Sequence, residues 1–151
     1  LTQDVETVFN LLASQSKIPR LNKMLIAPFH LQRSLIEWVD KTAASAVAGV
    51  PSRIVLKMNT LTDEKLMEAL VRAGQAGVQI DLIVRGACML PAGVPGQTEN
   101  IRVRSIIGRF LEHSRVFYFD GDFAVLLILR SVVCRMVQQR GNGVSMHSAT
   151  F

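Results

Sequence analysis

A strand–helix–strand unit over residues 53–84 constrains the fold of this chain more than any other feature of its sequence. The segment 54–58 has the pattern of a buried strand, and 78–84 predicts a second one. Thr62 is predicted to cap the intervening helix, and Gly77 to end it. The apolar positions of that helix form one stripe: Leu66, Met67, Leu70 and Val71. A crossover of this length joins parallel strands, so we predict an α/β fold with a βαβ parallel-sheet unit.

Weaker patterns on either side of this unit predict the remaining elements. Apolar residues at helical spacing indicate one helix over 5–12 and another over 31–46, with a short strand at 24–27 between them. Two prolines and two glycines within 91–96 predict a loop, because they suit neither a helix nor a central strand. The segment 101–107 is predicted to be a strand whose arginines face away from its apolar residues.

Composition bounds the class of protein without naming a ligand. The 151 residues are 49% apolar, which allows a buried core, and the net charge of +5 favours an anionic partner. The longest apolar run, 123–129, is far shorter than the roughly 20 residues of a membrane-spanning helix, so no span is predicted. Cys88 and Cys134 are isolated, so we expect neither a disulfide framework nor a metal site, and a cytoplasmic setting.

Polar residues follow the two strands of the βαβ unit where each strand ends. Lys57 and Asn59 close the first strand, and Arg85 follows the second. Ligands of parallel sheets bind beyond the carboxyl ends of the strands, so these side chains predict an anion site there. Ordinary solvated charges at strand ends would give the same pattern.

Arginines are concentrated in the stretch that follows the second strand. Only Glu99 and Glu112 oppose them there, and guanidinium groups bind phosphate oxygens in a bidentate manner. A solvated face is the commoner explanation for such residues. The five arginines of this stretch are Arg85, Arg102, Arg104, Arg109 and Arg115.

Six linked motifs resemble bacterial polyphosphate kinase in order and spacing. They lie at 57–59, 73–78, 82–86, 93–96, 99–106 and 108–115. The resemblance extends over about residues 4–122 and implies two phospholipase D-like catalytic domains in the parent enzyme. It implies that 1–48 is the end of the first C-terminal domain with a connecting helix, and that 49–122 is the front of the second.

The resemblance also implies an activity and roles for single residues. The family transfers the terminal phosphate of ATP reversibly to polyphosphate through a phosphohistidine, with Mg²⁺; no ligand for Mg²⁺ is identified in this chain. Arg85 resembles the family's phosphate-contacting arginine, and His113 resembles its catalytic, ATP-contacting histidine. Lys57 and Asn59 join them as candidate ATP or phosphate ligands. The phosphorylated histidine is expected before Leu1, so the fragment alone is predicted to be inactive.

Partners and location follow from the same resemblance. ATP, ADP and inorganic polyphosphate are the expected ligands, without nucleic acid. The parent enzyme is expected to be a cytoplasmic homo-oligomer that associates with membranes as part of a complex.

The segment 123–151 departs from the family pattern and contains no Asp or Glu. Our hypothesis is a reading-frame shift near Phe123, which would make this segment an aberrant tail. We expect 123–129 to pair as an apolar strand and 131–151 to find little to dock against.

Two other functions remain open on the sequence alone. A non-catalytic basic α/β module could bind polyanions or nucleic acid, but Phe117, Tyr118 and Phe119 are contiguous and do not interleave with basic residues as stacking platforms do. A phospholipase D-like phosphodiesterase half-site would use His113, Arg115 and Asp120, with arginine in place of the usual lysine.

Overall fold

A computed structural model describes residues 2–14, 24–26, 30–108, 114–122, 124–129 and 133–139. Three helices and seven strands are present in these ranges. In chain order they are α1 (Thr2–Ser14), β1 (Met24–Ile26), α2 (Leu31–Val47), β2 (Arg53–Met58), α3 (Glu64–Gln75), β3 (Gln79–Val84), β4 (Ile101–Arg104), β5 (Arg115–Asp120), β6 (Ala124–Leu129) and β7 (Val133–Gln139).

The βαβ unit is confirmed as β2, α3 and β3. β2 and β3 pair in parallel from Arg53 opposite Gln79 to Met58 opposite Val84. The predicted cap at Thr62 is wrong by one residue, because the carboxylate of Asp63 accepts the backbone N–H of Leu66 at 2.9 Å. A carboxylate is also the better partner for the positive end of a helix dipole.

The strands form one seven-stranded mixed sheet in the order β1-β7-β6-β5-β2-β3-β4. β4 continues the parallel part beside β3, whereas β5 runs antiparallel to β2 on its other side. The predicted α/β class with a parallel βαβ unit is therefore confirmed. β4 is shorter than predicted, since Ile106 and Ile107 lie beyond it and are 52% and 84% exposed.

Helices α2 and α3 cover one face of the sheet, and residues alternate strictly between the two faces. On the helix-covered face, Ile54 and Leu56 of β2 are buried, and Trp38 of α2 lies with its ring centroid 5.9 Å from that of Phe119 on β5. Lys57 lies on the other side of β2, which we call the second face. None of the helices in the described ranges has the length and hydropathy required to cross a bilayer.

The segment 123–151 contributes two strands to this sheet. β6 pairs antiparallel with β5, which confirms the expected strand at 123–129. The expectation that 131–151 has little to dock against is wrong for β7, because this strand pairs with both β6 and β1. The division at 48/49 and 122/123 and the frame-shift hypothesis stay predictions.

Replacing Gly121 by alanine should lower the free energy of unfolding by about 1–3 kcal/mol, the usual cost of overpacking. A Cβ at Gly121 would lie 2.9 Å from both Cβ and Oγ of Ser45 on α2. Ser45 has no room to withdraw, because it is buried and its hydroxyl donates to Asp122 Oδ1 at 2.7 Å. Urea unfolding followed by circular dichroism measures the change. Gly121→Ala combined with Ser45→Gly should recover part of the loss, and an unchanged unfolding midpoint in the single variant would contradict this contact.

Candidate functional site

The carboxyl ends of β2 and β3 are held together by backbone hydrogen bonds that continue past the strands. The N–H of Arg85 donates to the carbonyl oxygen of Met58 at 3.2 Å, and that of Gly86 donates to the carbonyl oxygen of Asn59 at 2.7 Å. Met58 is buried on the helix-covered face, whereas Lys57, Asn59 and Arg85 are half-buried. Alternation along a strand therefore brings these three polar side chains to the second face together.

Gly86 permits this close approach of the two strand ends. A Cβ at Gly86 would lie 3.0 Å from the carbonyl oxygen of Asn59 and 3.3 Å from Cγ2 of Thr60. Backbone atoms cannot yield as a flexible side chain can, so a larger residue would push the two strand ends apart. The glycine that follows Arg85 thus allows the two strand ends to approach as closely as they do.

Two serines from other parts of the chain complete the site. Nζ of Lys57 donates to Oγ of Ser114 at 3.0 Å, and Oγ of Ser105 donates to the backbone carbonyl oxygen of Arg85 at 3.3 Å. Ser114 precedes β5, which lies beside β2, and Ser105 follows β4, which lies beside β3. Together these strand ends surround a small cleft, lined by Lys57, Met58, Asn59, Ile83, Arg85, Ile106 and Ser114.

The polar groups of this cleft suit an anion. Its lining provides an ammonium group, a guanidinium group, an amide and a hydroxyl, and none of the described residues that line it is a carboxylate. Among the described residues of the second face, Asp81 is paired away from the cleft, because it binds Arg53, the first residue of β2, at 2.7 Å. A carboxylate would compete with a bound phosphate, so its absence from this lining favours phosphate binding.

The structure brings together three of the four predicted site residues. Lys57, Asn59 and Arg85 line the same cleft, whereas His113 lies outside the described residues, as does Arg109. Ser114 was missed by sequence reasoning. Its position beside Lys57 follows from the antiparallel pairing of β5 with β2, which no local pattern reveals.

The cleft does not fit a magnesium ion held by protein ligands. Mg²⁺ prefers carboxylate and other oxygen ligands, but two of the side chains here are cations. Elsewhere in the described ranges, too, no three His, Cys, Asp or Glu residues are grouped as metal ligands would be.

Arg115 and Asp120, two members of the alternative phosphodiesterase half-site, lie at opposite ends of β5. The five residue-to-residue steps of extended chain between them span about 17 Å, and the two side chains point to opposite faces. Asp120 lies opposite Arg53 in the sheet. The pKa of Tyr118 is raised, chiefly by burial and then by its hydrogen bond to Asp120.

Known proteins are similar to this chain in both sequence and fold. Residues 24–140 match the family described as polyphosphate kinase C-terminal domain 2. A polyphosphate kinase from Pseudomonas aeruginosa is 52% identical over 124 residues, which are 81% of this chain and 18% of that protein. The chain therefore spans about a fifth of the length of such relatives.

Solved structures agree with this match. A crystal structure of polyphosphate kinase from Porphyromonas gingivalis superposes with a TM-score of 0.78 at 31% identity, over 89% of this chain and 23% of that one. Nuc from Salmonella typhimurium, a phospholipase D family member, gives a TM-score of 0.51 at 14% identity over 78% of this chain and 82% of Nuc, and shows the shared fold alone. The family match over most of the chain and the superposition on a polyphosphate kinase lead to one conclusion: the chain belongs to the polyphosphate kinase family.

Proposed function

We propose that this chain is the part of a polyphosphate kinase that binds the phosphates of ATP and of polyphosphate during reversible transfer of the terminal phosphate. Transfer proceeds through a phosphohistidine that lies outside this chain. Family membership supports the reaction type. The observation that carries the binding role is the convergence of Lys57, Asn59 and Arg85 in a cleft where none of the described lining residues is a carboxylate.

Each cleft residue has a role that its chemistry supports. The planar guanidinium of Arg85 can bind two phosphate oxygens at once. The backbone hydrogen bonds of Arg85 and Gly86 hold the Cα atom of Arg85 in place at the end of β3. Lys57 supplies a point charge that Ser114 orients through their hydrogen bond. Asn59 adds an amide donor. Phosphoryl transfer depends mainly on positioning and on neutralising the equatorial oxygens, and these groups provide both.

His113 is the proposed catalytic residue of this half of the site. His113 falls within residues 24–140, which match the family, and this match supports its role. An imidazole can donate a hydrogen bond or a proton to a phosphate oxygen near neutral pH.

The two alternative functions are less well supported. Phe117, Tyr118 and Phe119 are 5%, 9% and 0% exposed, so these rings cannot serve as a platform for nucleic acid bases. The phosphodiesterase half-site is less well supported because two of its three residues, Arg115 and Asp120, lie at opposite ends of β5.

Binding of ATP and tripolyphosphate to the purified chain tests the proposal, and affinity should fall as salt concentration rises. Salt cations bound to the phosphates are released when the phosphates contact the protein. The logarithm of affinity should therefore decrease linearly with the logarithm of salt concentration. The double variant Lys57→Gln with Arg85→Gln should bind at least about tenfold more weakly at low salt, because charged hydrogen bonds are each worth about 1.5–3 kcal/mol. Isothermal titration calorimetry measures both effects.

Arg72→Gln is the control for loss of a positive charge away from the cleft. Arg72 is in the last turn of α3, is exposed, and pairs with Asp40 at 3.3 Å away from the cleft. This variant should bind like the parent chain. Equal weakening by Arg72→Gln, or affinity that does not depend on salt, would contradict a specific phosphate site at the strand ends.

A further inference from the structure

Positive charge on the second face is concentrated at the carboxyl end of the parallel strands. Lys57 and Arg85 lie in the cleft, and Arg104, the last residue of β4, lies in the same row of the sheet as Lys57. The row runs from Lys57 through Ile83 to Arg104, as their pairings show. We call Lys57, Arg85 and Arg104 the cation patch.

Contacts of the chain after β4 keep Arg104 beside the cleft. Ser105 donates to the backbone carbonyl oxygen of Arg85 at 3.3 Å, and Ile106 lines the cleft itself. Arg104 is exposed and does not line the cleft. It therefore presents a charge next to the cleft, on the side away from Ser114.

The charges around Arg102 differ from those around Arg104, although both arginines are exposed on the same face of β4. Arg102 lies opposite Asp81, which binds Arg53, and Arg53 in turn lies opposite Asp120. Two cations and two anions balance there. The neighbours of Arg104 in its row are Ile83 and Lys57, so no acid offsets it within that row.

Distance determines what Arg104 can bind. Neighbouring strands lie about 4.8 Å apart, so the backbones of Lys57 and Arg104 are separated by about 10 Å across β3. That separation allows successive groups of a polyanion to contact Lys57 and Arg104 in turn. A row of phosphates that begins at Lys57 and Arg85 would reach Arg104 after leaving the cleft.

We propose that Arg104 makes the affinity for polyphosphate depend on the length of the bound polymer. In this proposal Arg104 binds the inner phosphates of the polymer, while Lys57 and Arg85 hold its end. The proposal rests on the proposed function of the cleft. It predicts that Arg104 contributes to binding of long chains and contributes little to binding of tripolyphosphate or ATP. Arg102 is expected to contribute to neither, because Asp81 and Asp120 lower the local potential.

The simplest competing explanation concerns the edge of the sheet. β4 is an edge strand, and charged side chains on edge strands prevent pairing with other chains. That role applies equally to Arg102 and Arg104. The two residues therefore form a matched pair, with the same side chain, strand and face.

The experiment compares Arg104→Gln and Arg102→Gln in the 151-residue chain by titration with long-chain polyphosphate and with tripolyphosphate at low salt. Arg104→Gln should weaken binding of the long chain about three- to fivefold, the range of an exposed charge contact. It should also reduce the salt slope for the long chain by about one. Affinity for tripolyphosphate should stay within about twofold, and Arg102→Gln should change neither affinity by more than that.

The remaining outcomes separate the two proposals. Unchanged affinity of Arg104→Gln for the long chain, or equal losses in both variants, overturns the role of Arg104. A loss that appears equally with polyglutamate overturns it as well, because the effect would then be general for polyanions. If the parent chain binds neither tripolyphosphate nor long-chain polyphosphate, the proposed function of the cleft fails together with this extension.

Discussion

Replacing Arg85 by lysine is expected to lower the turnover of a full-length polyphosphate kinase that carries residues 24–140 of this chain about 100- to 1,000-fold, the usual cost of losing one oriented donor to a transition state. Charge is retained in this variant. What is lost is the planar fork, which contacts two oxygens of the transferring phosphoryl group, whereas an ammonium group acts as a point charge.

Steady-state kinetics with ATP measures this effect. Because the fork matters most while charge develops on the equatorial oxygens, kcat should fall more than KM rises. Arg72→Lys is the control, since Arg72 lies in an exposed ion pair on α3. Turnover of Arg85→Lys within about threefold of the parent enzyme would exclude the bidentate role, because such a change corresponds to less than about 1 kcal/mol.

The 151 residues alone are expected to form no polyphosphate and no phosphorylated protein from ATP and Mg²⁺. Transfer through a covalent intermediate needs a nucleophile, and the family's phosphorylated histidine is expected outside this chain. The described cleft provides no substitute, because Lys57 and Arg85 are cationic and the hydroxyl of Ser114 accepts a hydrogen bond from an ammonium group that cannot serve as a base.

Labelled ATP tests this expectation directly, with binding of ATP by the same preparation as the positive control for folding. Acid-labile, base-stable phosphate on the protein would show that a histidine within these residues suffices as the nucleophile. Labelled polymer would contradict the expectation even more strongly. Either result would contradict the proposal that the nucleophile lies outside this chain.

Local sequence patterns predicted the central part of this fold well. The βαβ unit could be predicted because alternation in β2 and β3 and the helical stripe of α3 are local signals, and because a crossover of that length has one favoured geometry. The same reasoning placed Lys57, Asn59 and Arg85 together, since parallel strands end at the same edge of a sheet. The cap lies at Asp63 rather than at the predicted Thr62, and propensity alone does not separate such neighbouring capping residues.

Pairing between distant segments could not be predicted in this way. β5 lies next to β2 and brings Ser114 to Lys57, and β7 joins β6 to β1 across more than 100 residues of chain from Met24 to Val133. Strand order in a sheet depends on which apolar faces and unpaired backbone groups meet in space, and local periodicity carries no information about that choice.

Local patterns in the sequence were enough to predict the βαβ unit and the cations at its strand ends, and six linked motifs were enough to predict the family. Which residues accompany these cations depends on the pairing of distant strands. That pairing brings Ser114 to Lys57 and places Arg102 opposite Asp81, whereas Arg104 lies in a row without an acid. The physical reason is that the identity and spacing of residues fix local conformation, whereas the electrostatic character of a site depends on which charges from separate strands become neighbours.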